Sequence, residues 1–223
     1  MSHFKGFTKE TISFLINLEM NNSKVWFEAN KAAYTEHVLL PMQHLVMDLS
    51  HGMLDIDPLF VTAPVVGKTI SRIHRDTRFS KDKSPYRSNV WITFKRPSNE
   101  WQDCPCFFFE ITPEAYRYGM GYYSASRDTM DKLRAVIDHR PLKFYEAISF
   151  FDEEQPFTLE GDRYKRNLNS AYDEEILTWY QRKNLYLICN KSLDSKFYQE
   201  VLVDDVLSDF KLVKDFYDFL AGL

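Results

Sequence analysis

The first 53 residues carry apolar side chains at helical spacing. The clearest stripe recurs every three or four residues and consists of Met42, Leu45, Val46, Leu49 and Met53. Pro41 comes immediately before this stripe, where proline fits the first turn of a helix. Because this spacing places the apolar side chains on one face, we predict a helical subregion over residues 1–53.

Two further helices are predicted ahead of that stripe. Thr8 can cap the first helix. The polar run at 21–23 interrupts the pattern, because short polar side chains compete for backbone hydrogen bonds, and it can cap the second helix. The apolar side expected for the second helix consists of Val25, Trp26, Ala29 and Ala33.

Apolar runs separated by short connections predict strands between residues 68 and 123. The runs cover 68–74, 89–95, 104–112 and 115–123. The second and third are apolar on both faces, so we expect them to be central strands. Short connections favour antiparallel neighbours, so residues 68–123 are predicted to form a β-meander.

Residues 124–223 return to a mainly helical pattern, with one further strand expected over 185–189 and an irregular segment over 155–172. Helices, a meander and again helices are typical of an α+β fold. We therefore predict a largely antiparallel sheet packed with N- and C-terminal helices, in a single domain that covers residues 1–223.

The composition, with 44% hydrophobic and 27% charged residues, is typical of a soluble globular protein. The sequence begins without a secretory signal, and no apolar run approaches the ~18 residues of a membrane span. The three cysteines, Cys104, Cys106 and Cys189, do not indicate a disulfide framework in a chain of this length. We therefore expect a cytoplasmic protein that does not enter a membrane.

Positive charge is concentrated in one segment of an acidic chain. The formal net charge is −4, yet residues 68–87 alone carry +5, so the remainder carries −9. Arginines oriented by aspartates present donors suited to phosphate or carboxylate. We interpret residues 72–87 as an anion-binding loop between two strands. Its candidate ligand-binding residues are Arg72, Arg75, Asp76, Arg78, Lys81, Asp82, Lys83 and Tyr86.

Three interpretations of this segment stay open at the level of sequence. It can bind a small anionic ligand, it can grip the phosphates of nucleic acid, or it can form a structural ion-pair network in an interaction module. The −9 balance elsewhere argues against nucleic acid without excluding it. The sequence leaves the oligomeric state open.

Secondary candidates lie outside the cationic positions of this segment. Gly119 and Gly121 share a strand face, where a missing side chain admits either another backbone or a ligand. His74 is the general-base candidate beside the cluster. The other secondary candidates are Trp26, Asn30, Lys31, Lys165 and Arg166.

No residue set identifies a reaction, so the catalytic residues stay unknown and it stays undecided whether the chain is an enzyme. No phosphate-loop, dinucleotide-binding or nucleophile-elbow motif is present, and we expect no cofactor. His37, His44 and His51 are spaced by seven residues, or ~10.5 Å along a helix, which is too far to share one metal ion. We therefore expect no metal site.

Two motifs resemble those of a known family. They are N-N-x-x-x-W-F-x-x-N-K, which begins at Asn21, and R-D-x-R-F-S-K-D-K-x-P-Y, which begins at Arg75. The chain resembles a conserved-hypothetical family, domain of unknown function 2461, over nearly its whole length. The resemblance implies a single whole-chain domain in a cytoplasmic, mostly bacterial protein. It implies no particular reaction, substrate or cofactor.

Overall fold

The computed structural model describes residues 3–78, 81–97, 103–152, 154–169 and 171–223. The chain forms two compact units. The first comprises Met1–Phe94, Phe108–Tyr118 and Asn190–Ser208. The second comprises Lys95–Phe107, Gly119–Cys189 and Asp209–Leu223. The single domain expected over residues 1–223 stays a prediction.

The first helices follow the predicted pattern. They are α1 (Lys9–Met20), α2 (Lys24–Ala29), α3 (Lys31–Tyr34) and α4 (Leu40–Ile56), with a π-helical turn at Thr35–Leu39. The Thr8 N–H donates to Thr11 Oγ1 at 3.1 Å before α1, and Ser23 Oγ accepts from the Trp26 N–H at 3.3 Å before α2. All five apolar residues of the predicted stripe on α4 are buried.

The predicted apolar side of the second helix is wrong. Val25 is 83% exposed, whereas Phe27 and Tyr34 are buried. The helix ends at Ala29 and a new one starts at Lys31. The four predicted residues therefore do not lie on one face of a single helix. The aromatic rings carry more apolar surface than the predicted side chains, so their burial is favoured.

The remaining helical segments are α5 (Arg127–His139), α6 (Pro141–Ala147), α7 (Glu174–Tyr180), α8 (Leu202–Leu212) and α9 (Lys214–Ala221), with a 3₁₀ turn at Lys196–Tyr198. The described helices include none that is both long enough and apolar enough to cross a membrane.

The strands are β1 (Val90–Phe94), β2 (Cys106–Ile111), β3 (Ala115–Gly121), β4 (Thr158–Glu160) and β5 (Tyr186–Ser192). They form an antiparallel sheet in the order β1-β2-β3-β5-β4. The predicted α+β class, with an antiparallel sheet and N- and C-terminal helices, is confirmed. The strand β4 lies in the segment expected to be irregular. Its three residues are too few to show a strand period, and they pair with β5 far along the chain.

The central position predicted for residues 89–95 is wrong, because β1 is at the end of the sheet order. Its outer edge is instead covered by residues 69–71. The Ser71 N–H donates to the Trp91 carbonyl and the Thr93 N–H donates to the Thr69 carbonyl, both at 2.8 Å. Residues 68–74 therefore supply isolated bridges, such as that between Ile70 and Ile92, rather than the predicted strand.

Each unit has its own aromatic core. In the first unit, Phe7 stacks on Phe197 with ring centroids 4.8 Å apart. In the second unit, Trp179 meets Phe144, Phe151 and Phe216 edge to face at 5.1–5.8 Å. Such rings bury large apolar areas, which explains how an aromatic-rich chain fills both interiors.

Candidate functional site

The candidate site is the basic hairpin, which we define as residues 72–87 of the first unit; residues 79 and 80 lie outside the described part. The Arg75 N–H donates to the Pro85 carbonyl and the Arg87 N–H donates to the Ile73 carbonyl, each at 2.9 Å. Between these bonds His74 lies opposite Tyr86 in an antiparallel bridge. Side chains of such a pair lie close together on one side.

A buried aromatic contact supports the base of the basic hairpin. The Tyr86 ring stacks on Phe27 at 4.3 Å, and the exposed His74 ring lies 4.9 Å from it. Tyr86 is only 2% exposed. Burial raises the pKa of its hydroxyl, and the negative charge of Glu28 raises that pKa further.

Asn22 anchors the basic hairpin through the backbone of Tyr86. Its Nδ2 donates to the Tyr86 carbonyl and its Oδ1 accepts from the Tyr86 N–H, both at 3.0 Å. In the sequence, Asn22 is visible only as part of the polar run at 21–23 and of a family motif. The two residues are 64 positions apart, so no local pattern could have paired them.

One ion pair of the basic hairpin is exposed and bidentate. Arg78 Nε donates to Asp76 Oδ1 at 3.0 Å, and Arg78 Nη2 donates to Asp76 Oδ2 at 2.7 Å. These bonds lower the pKa of Asp76 to about 2, with a further contribution from the Arg78 N–H. In return the Asp76 carboxylate raises the pKa of Arg78.

A second pair joins Arg75 to Asp82. Arg75 Nη2 lies 3.2 Å from Asp82 Oδ2 and 3.5 Å from the Tyr86 carbonyl. The hydroxyl and the N–H of Ser84 both donate to Asp82 Oδ1 and lower the pKa of that carboxyl, as does the charge of Arg75. Arg75 Nε is buried and has no hydrogen-bond acceptor among the described residues.

Two other cations brace the backbone of the basic hairpin. Lys83 Nζ donates to the Thr77 carbonyl at 2.8 Å. Arg87 Nη1 donates to the carbonyls of Arg72 and His74 at 3.2 and 3.3 Å. These cations therefore hold the hairpin through neutral carbonyl groups.

Arg72 and Lys81 differ from these cations. Both are exposed, and no carboxylate of the described residues lies within ion-pair distance of either. The guanidinium of Arg72 lies beside Gly67, where an added Cβ would stand 3.2 Å from Nε. Arg72 and Lys81 thus have neither a carboxylate nor a backbone carbonyl as a side-chain partner among the described residues.

The secondary candidates of the first unit have structural contacts. Asn30 Nδ2 donates to the Trp26 carbonyl at 2.8 Å and closes the end of α2. The Trp26 ring lies 5.6 Å from Phe14. Lys31 is exposed, with Glu28 at 3.9 Å.

The other secondary candidates belong to the second unit. A Cβ at Gly119 would collide with the Leu187 carbonyl, and one at Gly121 would collide with the backbone of Tyr186. Both glycines therefore let the β5 backbone approach closely. Lys165 and Arg166 are exposed on the segment that follows β4.

The comparisons with known proteins bear on the whole chain. The model of a family described as conserved hypothetical protein (DUF2461) matches residues 10–219. The chain belongs to this family. No curated protein matches it.

The described residues of this DUF2461 chain contain no group of three or more His, Cys, Asp or Glu side chains that could hold a metal ion. The basic hairpin itself supplies cations, an imidazole and backbone N–H groups. Such groups bind negative charge and donate hydrogen bonds.

Proposed function

We propose that this DUF2461 chain binds a small anionic ligand, through a phosphate or carboxylate group, at the basic hairpin. The observation that carries the proposal is the state of Arg75. Asp82 and the Tyr86 carbonyl fix its guanidinium, while its buried Nε has no acceptor within the described part of the chain. A buried donor without an acceptor destabilises the folded chain by about 1–3 kcal/mol. Binding of a ligand oxygen that accepts from this N–H is therefore favoured.

The neighbouring groups support the same assignment. Arg72 and Lys81 are exposed and have no acidic partner among the described residues. Asp76 and Asp82 orient Arg78 and Arg75 through their ion pairs. In this proposal Arg75 positions the anion, the other cations add charge, Lys83 holds the loop, and the buried Tyr86 supports the backbone.

A second candidate is a non-catalytic interaction module in which the charges brace the hairpin. The bidentate Arg78–Asp76 pair and the carbonyl contacts of Lys83 and Arg87 favour it. In that case no anion binds, and the ion pairs matter only for stability.

Isothermal titration separates the two candidates. The panel contains inorganic phosphate, nucleotides, sugar phosphates and dicarboxylates. We expect one class to bind, and R72A and R75K each to weaken it about tenfold or more, as loss of a charge-assisted hydrogen bond does. R127A is the matched control, because Arg127 is an exposed arginine of the second unit paired with Asp131.

Two outcomes would contradict the proposal: no binding across the panel, or affinity that is unchanged in both hairpin variants. A gel-shift assay at low salt tests the nucleic-acid alternative. Retardation of DNA or RNA that falls steeply with salt would replace the small-anion proposal by that alternative.

We also propose a cytoplasmic location. Cys104, Cys106 and Cys189 are all free thiols in the structure. Free thiols persist where glutathione keeps the compartment reducing.

A further inference from the structure

The second unit contains an open polar cavity at the edge strand β4. Its volume is about 390 Å³, and its polar side chains come from Glu160, Asp162, Arg182, Asn184 and Tyr186. This volume lies within the range of small-molecule sites in proteins. The cavity belongs wholly to the second unit, whereas the basic hairpin belongs to the first.

Arg182 makes the floor of the cavity rigid. It is 8% exposed, and its guanidinium donates to the carbonyls of Leu159, Gly161 and Thr178 at 2.6–3.1 Å. No carboxylate of the described residues lies within ion-pair distance of it. Its positive charge is therefore held at the cavity by neutral backbone groups.

The backbone around Asp162 is also fixed, while its side chain is not. The Asp162 N–H donates to Asn184 Oδ1 at 3.0 Å, and its carbonyl accepts from the Lys183 N–H at 2.7 Å. The Asp162 carboxylate accepts no hydrogen bond from the described residues. Asn184 Nδ2 likewise donates to none of them, so an acceptor and a donor stand open at the cavity.

The rest of the lining combines an acid with an aromatic ring. The Tyr186 hydroxyl donates to Glu160 Oε2 at 3.4 Å, which leaves Oε1 of this carboxylate for other donors. The ring of Tyr186 presents an apolar face beside that polar tip. The cavity thus offers carboxylate acceptors, an amide donor and a ring surface.

The charges of this lining select against ionic ligands. Glu160 and Asp162 repel an anion, and the guanidinium of Arg182 repels a metal cation, because like charges a few ångströms apart repel each other. A neutral molecule with several hydroxyl groups meets neither repulsion. Its O–H groups donate to the carboxylates and its oxygens accept from the amide.

We propose that this cavity binds a neutral, hydroxyl-rich ligand of the carbohydrate class. Glu160 and Asp162 accept from its hydroxyl groups, Asn184 donates to one of its oxygens, and the ring of Tyr186 covers a C–H face. The proposal is independent of the basic hairpin, because it uses residues of the other unit.

The test is an NMR titration of the full chain with neutral mono- and disaccharides. We expect saturable shifts of the Asp162 backbone amide and the Asn184 side-chain amide for at least one sugar. E160Q and N184D keep the size of the side chains, and N184D keeps the acceptor for the Asp162 N–H. Each is expected to weaken binding about tenfold or more, as loss of a hydrogen bond to a charged or specific partner does.

E146Q is the matched control, because Glu146 is an exposed acid on α6 of the same unit. It should leave the affinity unchanged. Absence of saturable shifts with every sugar would overturn the proposal, as would unchanged affinity in both cavity variants. The proposal would also be overturned if phosphate, Ca²⁺ or Mg²⁺ shifted the same resonances and bound more tightly than any sugar. R72A separates the two proposals, because it should weaken anion binding and leave sugar binding intact.

Discussion

Arg78 of the basic hairpin and Arg182 of the second unit differ in their partners and in their burial. The side chain of Arg78 is 77% exposed and pairs with a carboxylate, Asp76. Arg182 is 8% exposed and pairs with three backbone carbonyls. Arg134, also buried, donates to the carbonyls of Tyr180 and Arg182 and to Asp131 Oδ1.

The difference shows which charged side chains stabilise the fold and which are available to bind a ligand. A carbonyl left without its donor in a buried site loses a hydrogen bond that water does not replace. An exposed ion pair gains little, because water and salt screen it and its side chains lose entropy. The guanidinium of Arg182 therefore stabilises the edge of the sheet, while the exposed Arg78–Asp76 pair contributes little to the stability of the basic hairpin.

The largest expected effect comes from removing a buried guanidinium. R182M leaves the carbonyls of Leu159, Gly161 and Thr178 without their donor. We expect a loss of about 3 kcal/mol in the free energy of unfolding, measured by chemical denaturation. R163M is the control, because Arg163 is an exposed arginine whose backbone forms a bridge with that of Arg182. An equal loss in both variants would contradict the structural role of Arg182.

An intermediate effect is expected at the neutral anchor of the basic hairpin. N22A removes both hydrogen bonds to the Tyr86 backbone, so we expect a loss of about 2 kcal/mol. N22D keeps the acceptor for the Tyr86 N–H and should lose about half as much. Denaturation curves of the three proteins measure this, and an N22A variant as stable as the unchanged chain would show that Asn22 does not hold the hairpin.

The smallest effect on stability is expected at the exposed pair. R78A should leave the denaturation midpoint at neutral pH nearly unchanged, as the control R127A should. The local effect is electrostatic: the pKa of Asp76, about 2 in the unchanged chain, should rise toward its usual range near 4. An NMR titration of the Asp76 carboxyl group measures this directly.

The lowered pKa of Asp76 determines how the stability of the fold depends on pH. The folded pKa of Asp76 lies below its unfolded value, so its contribution to stability is complete above pH ~4 and is lost as the pH falls toward 2. R78A should remove this part of the acid dependence, which is small because the pair is exposed and screened by water. An Asp76 that titrates near 4 in the unchanged chain would show that the bidentate pair does not form in solution.

Local patterns predict much of the fold. The apolar stripe on α4 and the cap at Ser23 depend on residues within a few positions of one another, and both are confirmed. The same local arguments fail where a segment is short or interrupted. The break at Asn30 places Phe27 inside in place of Val25, and the three residues of β4 leave no readable period.

In the candidate site too, some features can be predicted from local sequence and others depend on distant contacts. The density of cations in residues 72–87 is visible in the sequence. The sequence also predicts that Asp76 and Asp82 orient these cations. The ion pairs that form are Arg78–Asp76 and Arg75–Asp82. The exposure of Arg72 and Lys81, and the anchor at Asn22, depend on contacts outside the segment. Anion binding itself stays a proposal.

The α+β class, most helix positions and the uneven charge can be predicted from the sequence, because helical period, capping and composition depend on a few neighbouring residues. Tertiary structure decided the place of β5 between β3 and β4, the pairing of Asn22 with Tyr86, and the burial of Arg182. These features join residues that are far apart in the chain. Their partners are selected by packing and by the need to satisfy buried polar groups, and neither is encoded in a local pattern.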